Sequence, residues 1–354
     1  MQFGIVSTAD VVRDPITGIT ANDATRLDEI RLLARVVEEV GLDVFAVAEH
    51  HGAGFVGSSP ATLLAAIAAE TSRITLTTAS SLITNNDPVR MAEEYALLQH
   101  LTHGRLDLMV GCGSTALVYP WPTDDCAANF ELAVENYSLL RQLWREPNTD
   151  WEGRYRTPLI NFTSTPRPLD GVPPFIWHHA HSTDVTDQAA YYGEGLFVNN
   201  MTDLRRDVSL VTDYRQRYET YGHGVATQAP VSLGGQVFVA RTTQEAREGV
   251  RPYIDLSTYG MTLEEAIHHT SLAVGSPQEV IEKILKMREL YGDYQRQLFI
   301  IDPGGLPLWS ILEQLEILGG SIVPALKTEF DNRRPAHVPS NPPTHEDRVR
   351  LTRV

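Results

Sequence analysis

The sequence predicts an α/β protein built as a single (β/α)8 barrel, and three observations carry that reading. Eight short apolar runs recur along most of the 354 residues. Each is followed by sequence with apolar residues at helical spacing. The runs are apolar nearly throughout rather than alternating, as suits parallel strands covered on both faces. Eight such repeats favour a closed barrel over an open doubly wound sheet.

In order, the predicted strands are Phe3 to Val6, Val44 to Ala48, Ile74 to Ala79, Leu106 to Val110, Phe175 to Trp177, Gly195 to Val198, Gln236 to Ala240 and Leu298 to Ile301. Among the helices between them, Ile30, Leu33, Ala34 and Val37 form one apolar stripe, and Phe130, Ala133, Val134, Tyr137 and Leu140 form another. Helix starts are marked at Ser59-Pro60, Asp87-Pro88 and Ser276-Pro277, where a capping side chain precedes a proline suited to the first helical turn. Ser276 with Glu279 also has the spacing of a capping box. The barrel is expected over residues 1–330, with a hairpin-and-loop insertion at about 147–173 after the fourth helix. Residues 331–354, rich in proline and poor in large apolar side chains, are expected to form an extended or mobile tail, with a packing arm on a second subunit as the alternative.

Charge narrows the classes of function. With 29 Lys+Arg against 45 Asp+Glu, the formal charge of −16 opposes binding to phosphate backbones and anionic lipid surfaces. No nucleic-acid or membrane partner is therefore expected, and small molecules are the expected ligands. Two cysteines, Cys112 and Cys126, are too few for a disulfide framework, and the start lacks a basic and then apolar leader, so a cytoplasmic location is expected.

In a barrel of this kind the chemistry gathers at the carboxyl ends of the strands. Polar clusters stand there after four strands: Glu49-His50-His51, Ser80-Ser81, Gly111-Cys112-Gly113-Ser114-Thr115 and His178-His179-Ala180-His181-Ser182-Thr183. An imidazole titrates near neutrality, so His50 or His51 suits proton transfer, unless both are merely hydrogen-bonded loop residues. Neighbouring side chains on a strand face opposite ways, so one of the pair is expected to reach the pocket. Ser182 is either an anion-binding helix start or a plain N-cap. His178, His179 and His181 with Glu49, His50 and His51, and Asp302 after the last strand, admit a zinc hydrolase as a rival reading. His268-His269 are read as a solvated helix face, and the cysteines as small buried residues rather than nucleophiles.

Taken in order, the segments FGIVS, EEVGLDVFAVAEHHGAGF, ITLTTASSLITNNDPVRMAEE, GRLDLMVGCG, VGSPQEVIEKIL and FIIDPGG resemble the luciferase-like flavin-dependent monooxygenases, relatives of bacterial luciferase. The resemblance spans about the whole barrel. It implies reduced FMN delivered by a separate flavin reductase, O2 as co-substrate, a C4a-hydroperoxyflavin, insertion of one oxygen atom into a small organic molecule, and a homodimer. It makes His50 the catalytic histidine and Ala79-Ser80 the site of a non-proline cis peptide beneath the flavin. Further flavin contacts are expected from Ser7, Glu49, Cys112, Gly113, His179, Ala180, Ser182 and Thr183. Cys112 stands where the family often has a phosphate-binding arginine, which leaves the deazaflavin F420, used by relatives for hydride transfer, as the alternative cofactor.

Overall fold

The computed structural model describes residues 1–113, 126–199, 204–254, 260–303 and 305–353. Ser114 and Thr115 of the glycine turn and the side chain of Cys126 lie outside the described residues. Eight parallel strands ring the centre: β1 (Gln2–Ser7), β2 (Val44–Val47), β3 (Thr75–Thr78), β4 (Asp107–Gly111), β5 (Phe175–His179), β6 (Gly195–Val198), β7 (Val231–Val239) and β8 (Arg296–Ile300). Backbone ladders run from β3 through β2, β1, β8, β7, β6 and β5 to β4. Between β3 and β4 the pairing is sparse. There the Thr78 hydroxyl donates to the Met109 carbonyl at 2.6 Å and accepts from the Met109 N–H at 3.0 Å, and Ser81–Leu82 pairs with Val110 and Gly111. A side chain thus satisfies ladder groups that the backbone leaves open.

The outer ring holds α1 (Asp23–Glu39), α2 (Pro60–Ala68), α3 (Pro88–Leu101), α4 (Cys126–Arg145), α5 (Thr183–Tyr192), α6 (Leu204–Thr220), α7 (Thr243–Val250), α8 (Leu263–His269), α9 (Pro277–Tyr291), α10 (Leu308–Ile317) and α11 (Val323–Arg333). Helices α2, α3 and α9 begin at Pro60, Pro88 and Pro277 as marked, and Asp87 accepts hydrogen bonds from the N–H groups of Val89 and Arg90, but Ser59 makes no capping bond and its hydroxyl meets that of Thr62 at 2.8 Å. The predicted insertion is an antiparallel hairpin, Thr149–Trp151 with Leu159–Phe162, followed by a short 3-10 turn. No helix among the described residues is long and apolar enough to cross a membrane.

Strand residues divide between two apolar cores, which is why the runs read as continuous. Val6, Val44, Ala46, Met109, Phe175, Trp177, Phe197, Leu298 and Ile300 fill the barrel interior. Their neighbours Phe3, Ile5, Phe45 and Val47 pack outward against the helices. Near the amino end of the strands, the guanidinium of Arg296 pairs with Asp107 at 2.5 Å and stacks 4.7 Å from the Trp177 ring.

Two expectations differ from the structure. The seventh strand is longer than Gln236 to Ala240, because the residues preceding Gln236, Val231 to Gly235, pair with β6 and β8 as part of the barrel wall. Within it, the Gly234-Gly235 pair serves close packing. A Cβ on Gly234 would stand 2.7 Å from the Phe197 ring, and one on Gly235 2.9 Å from the Ser271 carbonyl oxygen. The C-terminal segment is likewise more than an extended tail. After an extended stretch anchored by Arg334 to the Tyr294 carbonyl, it forms α12 (His345–Thr352). There His345 meets Gln99 at 3.2 Å, and Val338 and Val349 are buried, so the segment packs across the amino end of the barrel.

Candidate functional site

At the opposite end, four strand ends converge on one cavity of about 360 Å³, lined by Glu49, His50, His51, Ala79, Ser80, Leu82, Gly111, Cys112, Gly113, His179 and His181. Of the sequence-predicted residues, Glu49, His50, Ala79, Ser80, Cys112, Gly113 and His179 are brought together there. Ser7, Ala180, Ser182 and Thr183 are not among its lining residues. Leu82 and Gly111 were missed as candidates, although Gly111 sits inside the quoted turn and Leu82 two residues beyond Ser80.

Both histidines after β2 line the cavity, contrary to the alternation argument, because β2 ends at Val47 and the chain is no longer a strand at residues 50 and 51. The His50 ring stacks on Phe55 with centroids 4.6 Å apart, and its Nδ1 lies 3.1 Å from the Thr8 carbonyl oxygen. A carbonyl only accepts, so Nδ1 carries a proton, and the lone pair of the neutral form of the ring lies on Nε2. His51 places Nε2 3.0 Å from Oε1 of the buried Glu49. The other carboxylate oxygen of Glu49 accepts from the Ser81 hydroxyl and the Leu82 N–H, each at 3.0 Å, and Asn86 donates to both oxygens. Glu49 therefore ties the β2 loop to the turn after β3.

In that turn the Ala79–Ser80 peptide is cis. It lies against Gly111, where a Cβ would fall 2.3 Å from Ser80 Oγ. Gly113 adopts φ +70°, a backbone that glycine takes without steric cost. The Cys112 carbonyl accepts from Thr84 at 2.6 Å, and burial pushes the Cys112 thiol up to about 11. The thiol thus stays protonated at neutral pH and is unsuited to attack as a thiolate.

After β5, burial, aided by the nearby His181, pushes His179 down to about 4, so its ring is neutral at physiological pH. It packs 5.1 Å from the Phe197 ring. Ser182 caps α5 by accepting from the Val185 N–H at 3.4 Å, and Thr183 is the first residue of that helix. His178 faces away from the cavity, with Nε2 2.7 Å from Glu194. The histidine set of the zinc reading is therefore split across the strand, and among the described residues no three His, Cys, Asp or Glu side chains gather as a metal site. His268 and His269 are exposed on α8, as read.

Ser7 is buried at the end of β1 and donates its hydroxyl to Asp302 Oδ2 at 2.5 Å. Arg26 Nη2 reaches the same oxygen at 2.7 Å. Burial pushes Asp302 up to about 6 against the opposing pull of Arg26 and the Ser7 hydrogen bond. This cluster joins residues 276 positions apart, and no spacing in the sequence signals it.

A parallel barrel with a cavity at the carboxyl ends of its strands is the layout in which barrel enzymes hold their active sites. Residues 1–294 match the model of the luciferase-like monooxygenases, and the chain belongs to that family. It is 26% identical over 314 residues to N-acetyl-S-alkylcysteine monooxygenase of Bacillus subtilis, covering 80% of this chain and 88% of that one. The fold is shared with the oxygenating constituent of 3,6-diketocamphane monooxygenase from the CAM plasmid of Pseudomonas putida, solved in complex with FMN. That match has a TM-score of 0.73 and 17% identity, over 92% of this chain and 98% of that one. An F420-dependent secondary alcohol dehydrogenase, solved with an F420-acetone adduct, shares it at a TM-score of 0.70 and 16% identity, over 92% and 98%.

Proposed function

We propose that this chain is a monooxygenase that uses reduced FMN and O2 to insert one oxygen atom into a small organic substrate. The observation that carries the proposal is the cavity itself. Four strand ends enclose about 360 Å³ around a histidine whose Nε2 lone pair is left available by the Thr8 carbonyl. That volume falls within the usual range for small-molecule and cofactor sites, roughly 300 to 1,000 Å³. The donor set also suits a flavin, since neutral imidazole, hydroxyl and backbone groups match a polar, uncharged ring edge.

When bound, reduced FMN supplies the two electrons with which O2 delivers one oxygen atom to the substrate and the other to water. The chain's residues do the rest. His50 takes up or returns a proton at Nε2, while Nδ1–H stays on the Thr8 carbonyl. His179, held neutral, offers hydrogen bonds without placing a cation beside the ring. Glu49 keeps the two loops in register, and Leu82 and Ala79 in the cavity wall exclude water from the reacting groups. Ser182 and Thr183, though outside the cavity wall, open α5, whose first N–H groups suit the phosphate. Reduced flavin comes from a separate reductase, and the chain acts in the cytoplasm as a homodimer.

One observation favours a second reading. Cys112, with its neutral thiol, lines the cavity at the position where the family resemblance puts a phosphate-binding arginine, so an F420-dependent oxidoreductase is the rival. Anaerobic equilibrium titration with reduced FMN and with reduced F420 decides between them. Saturable binding of FMN with F420 at least tenfold weaker is expected. The reverse order would replace oxygen insertion by hydride transfer.

A further inference from the structure

The Ser7–Asp302–Arg26 cluster lies outside the cavity wall, yet its contacts lead to His50. We propose that Arg26 and Asp302 are positioning residues that hold segment 8–11, so that the Thr8 carbonyl selects the Nδ1–H tautomer of His50. The inference rests on the role proposed for His50 and extends it to how that role is set.

The contacts form a continuous chain. Asp302 is fully buried at the end of β8, and its Oδ2 accepts from Ser7 on one side of Thr8 and from Arg26. Arg26, 5% exposed, also donates Nε to the Asp10 carbonyl at 3.0 Å and stands 3.7 Å from the Asp10 carboxylate. Asp10 Oδ1 in turn accepts from the Thr8 hydroxyl at 2.9 Å. Thr8 is thus bracketed, with the residue before it tied to Asp302 and its own side chain tied to Asp10. Segment 8–11 is also laced to the loop bearing His50 and Phe55, through Val56 N–H to the Ala9 carbonyl at 2.8 Å and Val11 N–H to the Gly54 carbonyl at 2.6 Å.

This arrangement makes the Thr8 carbonyl a fixed acceptor. A planar guanidinium holds two partners in one geometry, which a single-headed ammonium does not. Without Arg26, the Asp10 carbonyl and Asp302 lose their common donor, the segment keeps only its ties to the His50 loop and to Ser7, and the angle of the Thr8 carbonyl to His50 loosens. The imidazole then redistributes toward the Nε2–H form that free histidine prefers, and the lone pair leaves Nε2. Asp302 and Arg26 are buried and 276 positions apart in sequence, so the device belongs to the closed barrel rather than to the loop alone.

The test is imidazole 15N–1H correlation spectroscopy on histidine-labelled protein, with the His50 signals assigned by their loss in His50→Ala. The native protein is expected to show one His50 tautomer, Nδ1–H. The variants are Arg26→Met and the double variant Arg26→Met/Asp302→Asn. The second removes the buried carboxylate that Arg26→Met leaves without a counter-charge, and so preserves folding. In the folded variant His50 should populate both tautomers, while His51, held by Glu49, keeps its native signals. A His50 that stays wholly Nδ1–H in the folded double variant overturns the proposal. The role of His50 itself is tested separately, by the coupling of flavin oxidation to product in His50→Ala. A shifted tautomer with coupling unchanged in His50→Ala sustains the positioning device and removes the catalytic role.

Discussion

Replacing Glu49 by alanine should destabilise the protein by about 3 kcal/mol, and the structure supplies the terms. Four groups converge on this carboxylate: the Ser81 hydroxyl, the Leu82 N–H, the Asn86 amide and the His51 ring. Asn86 and His51 are half-buried and can turn to water at small cost. Ser81 is 2% exposed and already engages Tyr95, and the Leu82 N–H has a fixed direction, so neither can turn away. A buried polar group left without a partner costs about 1 to 3 kcal/mol, giving roughly 2 to 6 for the pair. The vacated space adjoins the cavity and admits water, which moves the sum toward the lower half of that range. Against a total stability of roughly 5 to 15 kcal/mol this is a large loss. Glu49→Gln keeps one acceptor oxygen for Ser81 and Leu82 and turns its amide toward His51 and Asn86, so it should cost only about 1 kcal/mol. Urea unfolding of the three proteins, compared at a common slope, measures both values. A loss below about 1 kcal/mol in the alanine variant, or equal losses in the two, would refute the assignment of Glu49 as the tie between loops.

Two further predictions concern the cavity and its buried acid. Gly111→Ala puts a methyl group 2.3 Å from Ser80 Oγ, displacing the turn beneath the proposed flavin, and should weaken reduced FMN binding by roughly tenfold, about 1.4 kcal/mol, in an anaerobic titration. Unaltered affinity would remove that turn from the flavin site. Asp302 loses its proton near 3.8 in the unfolded chain and near 6 in the folded one. Between those values the folded state binds the extra proton, so this group's contribution to stability falls as pH rises from about 4 to about 6, by on the order of 3 kcal/mol. Stability measured against pH for the native protein and Asp302→Asn should therefore diverge across that window in favour of the variant, and parallel curves would contradict the shift.

How much of this was legible in the sequence follows from the range of the interactions. Strands and helix starts are local, so the strand expected at Val44 to Ala48 and found at Val44–Val47, and the Asp87-Pro88 start, are read from composition and spacing. The seventh strand was cut short because Gly234 and Gly235 serve contacts with Phe197 and Ser271 that no local pattern announces. Convergence of the four strand-end clusters followed from the barrel rule, since closure brings consecutive carboxyl ends together. Orientation did not follow: His178 and His179 are neighbours in sequence, yet one pairs with Glu194 and the other faces the cavity. Ser7 was singled out as a flavin contact, and nothing local signals that its hydroxyl donates to Asp302, a partner 295 residues away. The tail holds a helix because Thr344 and Asp347 cap it and Gln99 and Tyr294 receive it, and only the capping pair is local.

On the proposed function, the cavity transfers an oxygen atom from O2 with electrons from reduced FMN, under the control of His50. This is tested most directly by mixing the protein anaerobically with reduced FMN, admitting O2, and recording flavin oxidation and hydrogen peroxide yield for the native protein, His50→Ala and free flavin. Flavin bound to the native protein is expected to be oxidised by O2 more slowly than free flavin in buffer, with less peroxide released early, and His50→Ala is expected to depart from this behaviour while still binding the flavin. Oxidation as fast as that of free flavin, with native protein and His50→Ala alike, would contradict it.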